Sequence, residues 1–238
     1  ERIGDAPAKP FPNGDRPLSG VKVLDLTRVI AGPVCGRTLA VHGADVMLIT
    51  GPHLPSIPPL VVDSGRGKLS ASIDLRGPQG RDTLAELLRD ADIFVQGYRP
   101  GAIASHEFGP EAVAALKPGI VYVTLSAYGH TGPWAKRRGF DSLVQNANGL
   151  NIAEAEAFGA AQPKPLPAQA IDHASGYLLA FGAMTALARV FYALMGFAAT
   201  FALCARLEEP KAASMEALLR DILIESPQRV WVRLWPKA

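Results

Sequence analysis

Short apolar runs alternate with amphipathic segments between residues 20 and 126. Apolar or alternating runs predict strands, whereas apolar residues spaced three and four apart predict helices. The predicted strands are 21–26, 46–49, 70–75, 93–98 and 120–125, and the predicted helices are 33–42, 78–91 and 111–117. Strands that alternate with helices at this spacing favour a parallel sheet. We therefore expect an α/β fold with a Rossmann-like, doubly wound parallel sheet.

Glycine and proline mark the ends of several predicted elements. Gly43 follows the first predicted helix, as is common at a helix C-terminus. Pro33 suits a first helical turn, where its missing N–H group has no partner to lose. Residues 53–60 contain three prolines and predict a loop. Residues 1–17 carry four prolines and predict an extended arm before the α/β region.

The second half of the chain has a different pattern. Residues 129–170 are looser and proline-containing, and from residue 174 onward the chain becomes apolar and helical. The run 190–205 has no charged residue, but its 16 residues fall short of the roughly 20 that span a bilayer. A buried helix is our first interpretation of this run, and a membrane-associated segment is the alternative. Apolar residues at 215, 218, 219 and 222 predict one more amphipathic helix.

The charge and the cysteine content of the sequence disfavour several classes of function. The formal net charge of the 238 residues is +2, which is too small for a nucleic-acid-binding protein. Cys35 and Cys204 stand alone, without histidine at metal-ligand spacing, so we expect no metal site and no disulfide framework. The first residues lack the apolar core of a secretory signal. We expect a cytoplasmic protein that does not bind a membrane.

Motifs for common nucleotide chemistry are missing from the sequence. The segment after the first predicted strand reads LTRVIAGPVCG and contains no GxGxxG. A P-loop and a GxSxG elbow are absent as well. These absences disfavour a nicotinamide-binding domain, a P-loop NTPase and an α/β-hydrolase.

Six short segments of the sequence, taken in their order along the chain, indicate a family resemblance. They read LSGVKVLDLTRVIAGP (18–33), GKLSASIDL (67–75), ADIFVQGYRPGAI (91–103), VTLSAYGHTGP (123–133), RRGFDSLVQNANGL (137–150) and AQAIDHASGYLLAFGAMTAL (168–187). Together they resemble the family III CoA-transferases, over about residues 18–188. The resemblance implies no permanently bound cofactor, with coenzyme A or acyl-CoA as cosubstrate and a carboxylic acid as acceptor.

The same resemblance implies a nucleophile and a mechanism. Asp172 in IDHASG matches the family's aspartate, which attacks the acyl-CoA thioester and forms an aspartyl-CoA thioester through a mixed anhydride. An N-cap on the following helix is the alternative role for Asp172, and the two roles are compatible. The racemase branch of the family has a histidine where Phe140 stands here. A phenyl ring cannot transfer a proton, so racemisation is disfavoured.

Further positions of the resemblance imply contacts to CoA. Val29, Ile30 and Ala31 follow the first strand, where the family runs its backbone beside CoA. The resemblance also places Lys68, Tyr98, Arg99 and Arg138 at the bound CoA. Ordinary solvated charge is the alternative for the lysine and the two arginines.

Length is the main departure from the family. Full members build a second domain after the helix that contains Met184, and they form interlocked dimers. Residues 189–238 match nothing in the family and predict an atypical helical tail. The predicted function is CoA transfer, and the expected assembly is a homodimer or a complex with a partner subunit. The alternatives are a truncated or non-catalytic CoA-binding protein and one half of a split transferase.

Overall fold

The computed structural model describes residues 6, 14–164 and 166–206, with side chains up to residue 188. The described residues up to 191 belong to one compact unit, and those from 192 to 206 belong to a second. Most of the predicted arm and the predicted helix near residue 218 lie outside the described residues, as do the side chains of the apolar run 190–205. Among the described residues, no helix is both long and apolar enough to cross a membrane.

Five parallel strands form the sheet of the first unit. They are β1 (Lys22–Leu26), β2 (Asp45–Thr50), β3 (Lys68–Ser72), β4 (Ile93–Gln96) and β5 (Val121–Thr124). Their order across the sheet is β3-β2-β1-β4-β5, and every neighbouring pair is parallel. This arrangement confirms the predicted α/β class and parallel sheet.

Seven α-helices connect and follow the strands in the described part of the chain. They are α1 (Ala31–Val41), α2 (Pro58–Ser64), α3 (Pro78–Leu88), α4 (Pro110–Leu116), α5 (Asp141–Ala147), α6 (Leu150–Ala157) and α7 (Ala170–Arg206). The predicted loop at 53–60 is wrong over its last three residues. Pro58 and Pro59 take the first two positions of α2, where a missing N–H group costs little.

Alternate strand residues face opposite sides of the sheet, and each side has its own core. Val23 and Val95 pack with Leu39 of α1 and Leu187 of α7. Leu24 and Phe94 pack on the other side with Leu84 and Leu88 of α3 and Val113 of α4. Helices on both faces explain why the strands are apolar in both alternating positions.

The strand order places a topological switch between β1 and β4. The chain runs outward from β1 to β3 in one direction and then returns to β4 and β5 on the other side of β1. The loops that follow β1 and β4 therefore diverge and leave a crevice at the carboxyl ends of the strands. In open α/β sheets this crevice is the usual place for a ligand.

Candidate active site

A cleft of about 500 Å³ opens at the switch point. Its walls come from the loops after β1, β4 and β5 and from the N-terminal turns of α5 and α7. Seven of the eight predicted site residues line this cleft: Val29, Ile30, Ala31, Tyr98, Arg99, Arg138 and Asp172. Positions separated by more than 140 residues in the sequence therefore meet in one cavity.

Lys68 is the predicted site residue that does not line the cleft. Its side chain is 1% exposed, and its Nζ lies 2.8 Å from Asp25 Oδ2 and 2.8 Å from the carbonyl oxygen of Pro33. The expected contact of Lys68 with CoA stays a prediction. In this structure the ammonium group neutralises a buried carboxylate and ties β3 to β1 and α1.

The loop after β1 carries backbone strain. Val29 has φ = 72°, in the left-handed region that β-branched residues rarely adopt. Residues held in such conformations cost of order 1–3 kcal/mol and cluster at binding and catalytic sites. The strained loop forms one wall of the cleft.

Asp172 lies in the first turn of α7, as the third residue of that helix. It is therefore not the residue before the helix, and the N-cap interpretation is wrong. Its backbone N–H instead donates a hydrogen bond to Oδ2 of Asp141, at 2.8 Å. A carboxylate from α5 thus satisfies an N–H group that the helix itself leaves without a partner.

A glycine brings this turn of α7 close to α1. A Cβ added at Gly176 would lie 2.6 Å from the carbonyl oxygen of Ala31 and 2.6 Å from Cβ of Val34. No real side chain tolerates such distances, so the two helices approach at van der Waals contact only because residue 176 has no side chain. Gly176 is one helical turn after Asp172, and the close contact places Asp172 beside the loop after β1.

The environment of Asp172 raises the pKa of its carboxyl group to about 6. Burial is the main cause, because it disfavours the charged form. The negative charge of Asp141 adds to the rise, and His173 partly opposes it. Across the described side chains, no lysine or arginine lies within ion-pair distance of Asp172. The carboxylate is therefore neither neutralised nor fully solvated.

Four arginines line the cleft, and two of them were not predicted. The two predicted arginines, Arg99 and Arg138, are exposed, and Arg28 and Arg137 line the cleft with them. Arg28 donates to the carbonyl oxygen of Pro55 at 2.9 Å. Arg137 lies 5.0 Å above the ring of Trp134. Guanidinium groups of this kind suit phosphate oxygens, which they bind through two parallel N–H donors.

The remaining unpredicted residues belong to α5, which the sequence pattern missed altogether. Asp141 and Gln145 are buried and lie one turn apart. Gln145 Nε2 donates to Asp141 Oδ1. The signal that could have found them is the i, i+4 spacing of two polar residues within FDSLVQ, which places both on one helix face. Phe140 precedes α5, lines the cleft and is 59% exposed.

Comparison with known proteins agrees with the resemblance seen in the sequence. The family model described as CoA-transferase family III matches residues 18–191. A probable fatty acyl-CoA transferase of Mycobacterium tuberculosis is 33% identical over 191 residues, which cover 75% of this chain and 48% of that protein. The human succinyl-CoA:glutarate CoA-transferase is 34% identical over 150 residues, which cover 58% of this chain and 34% of that protein.

Solved structures agree with this result. A hypothetical protein from M. tuberculosis superposes with a TM-score of 0.67 and 29% identity, over 80% of this chain and 60% of that one. A CAIB/BAIF family protein from Brucella suis gives a TM-score of 0.65 and 26% identity, over 84% of this chain and 60% of that one. The chain spans about half the length of the M. tuberculosis transferase and about a third of the human one.

Proposed function

Because this chain belongs to CoA-transferase family III, we propose that it moves CoA from an acyl-CoA donor to a carboxylic acid, with Asp172 as nucleophile. One observation carries the proposal. Asp172 lines the cleft at the switch point of the sheet, and no lysine or arginine among the described side chains lies within ion-pair distance of its carboxyl group. A desolvated carboxylate is more nucleophilic than one that water or a salt bridge stabilises.

The proposed reaction proceeds through three covalent species. A carboxylate oxygen of Asp172 attacks the thioester carbonyl of the donor, and the C–S bond of the tetrahedral adduct breaks, which releases CoA as a thiolate and leaves a mixed anhydride of the acyl group with Asp172. The thiolate attacks the aspartyl carbonyl, which releases the donor acid and leaves an aspartyl-CoA thioester. The acceptor carboxylate then attacks the carbonyl of this thioester, which releases the CoA thiolate again and forms a second anhydride, between Asp172 and the acceptor. Attack by CoA on the acyl carbonyl of that anhydride gives the new acyl-CoA and frees Asp172.

The arginines of the cleft support the binding part of the proposal. CoA carries a pyrophosphate and a 3′-phosphate, and four guanidinium groups line the cavity that contains Asp172: those of Arg28, Arg99, Arg137 and Arg138. We propose that these side chains hold the phosphates, while the backbone of residues 29–31 runs beside the pantetheine arm. The backbone N–H of Asp172 is already bonded to Asp141, so it is not available to a developing oxyanion.

We also propose that a partner chain, or a second copy of this chain, covers an exposed apolar patch on α7. Tyr177, Leu178 and Phe181 on α7 are between 53% and 69% exposed, which is unusual for three neighbouring apolar side chains. They lie at helical spacing on the side of α7 opposite to Ala180 and Ala183, which pack on the sheet. Light scattering of the purified chain would give its mass in solution.

Transfer of CoA tests the catalytic part directly. The full chain is incubated with fatty acyl-CoA or succinyl-CoA donors and free acids, and new acyl-CoA is measured by chromatography. We expect Asp172→Asn to reduce transfer by at least about a thousandfold. Asp63→Asn is the control. Asp63 lies on α2 outside the cleft, and its Oδ2 is 2.8 Å from Nη1 of Arg37 on α1. Equal turnover in the wild type and Asp172→Asn would remove Asp172 from the mechanism.

A non-catalytic CoA-binding protein is the second candidate. The observation that favours it is the set of four arginines in the cleft, which suits the phosphates of CoA whether or not a transfer step follows. Calorimetric titration with CoA separates the two candidates. Binding together with transfer supports the enzyme, and binding without transfer by the wild type supports the second candidate.

A further inference from the structure

Asp141 is the buried charged residue in the cleft that the proposed mechanism leaves unused. It is 2% exposed, and no lysine or arginine among the described side chains lies within ion-pair distance of it. A buried carboxylate without a cation is costly unless hydrogen bonds satisfy it. Both oxygens of Asp141 have such bonds: Oδ2 accepts from the backbone N–H of Asp172 at 2.8 Å, and Oδ1 accepts from Gln145.

Gln145 extends the same hydrogen-bond network to the segment that leads into α7. Its Oε1 accepts the backbone N–H of Leu166 at 3.1 Å, and its Nε2 also lies 3.3 Å from the carbonyl oxygen of Ala168. Gln145 is 1% exposed, so water does not compete for these bonds. Helix α5 thus holds the chain before α7 through Gln145 and the first turn of α7 through Asp141.

We propose that Asp141 is a positioning residue for Asp172, whose carboxyl group it holds in a fixed orientation in the cleft through the hydrogen bond to the Asp172 backbone. The proposal rests on the proposed function in taking Asp172 as the nucleophile. The hydrogen bond fixes the first turn of α7, and the turn fixes the direction in which the Asp172 side chain leaves the backbone. Misplacement of a reacting group by about 1 Å can cost a hundredfold in rate.

The charge of Asp141 has a second effect that the hydrogen bond alone does not have. It opposes ionisation of Asp172, together with burial, and so raises the pKa of the Asp172 carboxyl group. The other charged or titratable groups near Asp172 are His173 on α7 and the side chains that line the same cleft: Arg28, Tyr98, Arg99, Arg137 and Arg138. Asp141 is the carboxylate among them, so its removal shifts the ionisation of Asp172 in a known direction.

Ionisation of Asp172 can be followed without substrate. Carbon-detected NMR of the full chain gives the titration of the Asp172 carboxyl group in the wild type and in Asp141→Asn. The amide oxygen of an asparagine can still accept the N–H of Asp172, so the variant removes the charge and keeps that bond. We expect the titration midpoint to fall by roughly half a pH unit or more. An unchanged midpoint would overturn the electrostatic part of the proposal.

Kinetics of a second variant isolate the hydrogen bond. Asp141→Ala removes both the charge and the acceptor, and we expect kcat to fall by about 10- to 100-fold. The KM for acyl-CoA should change less than about threefold, because Asp141 does not contact the phosphates in this proposal. Asp63→Ala is the matched control, since it removes a carboxylate from α2 outside the cleft.

The outcomes separate this proposal from the proposed function. Unchanged kcat in Asp141→Ala, with Asp172→Asn inactive, would contradict the positioning role and leave Asp172 as the nucleophile. Active Asp172→Asn would contradict the proposed function, whereas the NMR titration would still show whether Asp141 controls the ionisation of Asp172. If Asp141→Ala fails to fold, the pH dependence of kcat in Asp141→Asn decides. Its acidic limb should move to lower pH, and an unmoved limb would count against the proposal.

Discussion

Two carboxylate sites in the same domain have opposite electrostatics. Asp25 on β1 is fully buried, and it accepts hydrogen bonds from Lys68 Nζ at 2.8 Å, from the backbone N–H of Thr27 at 3.0 Å and from the Thr27 hydroxyl. Asp172 on α7 is partly buried, and the charged group bonded to its backbone is a second carboxylate, Asp141. The first site is neutralised by an ammonium group, and the second is not.

The difference distinguishes a site that stabilises the fold from one that is suited to chemistry. A buried carboxylate with a buried cation and further donors has its charge satisfied in the native state. A partly buried carboxylate beside another carboxylate is destabilised, and such residues in a cleft are candidates for catalysis. Removing a charge should therefore have opposite effects on stability at the two sites.

Loss of the Lys68 ammonium group should have the largest effect on stability. Lys68→Met leaves Asp25 buried without a cation, and breaking a buried pair in this way typically costs about 3–5 kcal/mol. Urea unfolding of the variant measures the loss. The double variant Asp25→Asn/Lys68→Met should recover more than half of it, because no unpaired charge remains. A single variant as stable as the wild type would show that the ion pair does not stabilise the fold.

Gly36 offers a milder way to disturb the same site. A Cβ at this position would lie 2.3 Å from Asp25 Oδ2 and 2.8 Å from Lys68 Nζ, so Gly36→Ala pushes the pair apart. We expect a loss of about 1–3 kcal/mol despite the better helix propensity of alanine. The control is Gly182→Ala on α7, where an added Cβ meets nothing within 4 Å. That variant should gain about 0.5–1 kcal/mol, and equal shifts in the two would refute the close packing at Gly36.

Removing the charge of Asp172 should change the stability of the fold less than the variants at Asp25, Gly36 and Lys68, and it should raise that stability. Its pKa is raised from 3.8 to about 6 in the folded chain, so ionisation costs stability as pH rises through this window. Asp172→Asn should therefore stabilise the protein at pH 7, by about 1 kcal/mol after screening by solvent. The gain should disappear below about pH 4, where the aspartate is protonated in both the folded and unfolded states. Thermal unfolding at the two pH values checks this, and destabilisation at pH 7 would contradict it.

The hydrophobic pattern of the sequence was sufficient to predict much of the sheet, and the motifs were sufficient to predict part of the site. All five strands overlap their predicted ranges. Buried strands such as β1 and β4 are apolar runs that the sequence displays directly, and the edge strand β3 was predicted from its alternating pattern. The motif order also identified the segments that meet in the cleft, including those of Val29, Tyr98 and Asp172. These residues follow strands or begin a helix, and the parallel topology brings such positions to one edge of the sheet.

Contacts between distant residues could not be predicted in the same way. The pairing of Lys68 with Asp25 spans 43 residues and depends on the register of β3, so the sequence did not reveal it. Helices α5 and α6 are short and lie in a polar region, where periodicity is weak. The hydrogen bond from Asp172 to Asp141 spans 31 residues and depends on α5. The motif identified Asp172, the proposed nucleophile, but it did not identify the residues that are hydrogen-bonded to its helix turn.

In the proposed mechanism, Asp172 becomes covalently attached to CoA. The full chain is mixed with an acyl-CoA donor without an acceptor, quenched in acid, digested and examined by peptide mass spectrometry. We expect CoA on the peptide that contains Asp172, linked as a thioester that hydroxylamine cleaves, and no such adduct in Asp172→Asn. Transfer of CoA to acceptor acids without this adduct, or with CoA attached as a thioester to another residue, would contradict the account.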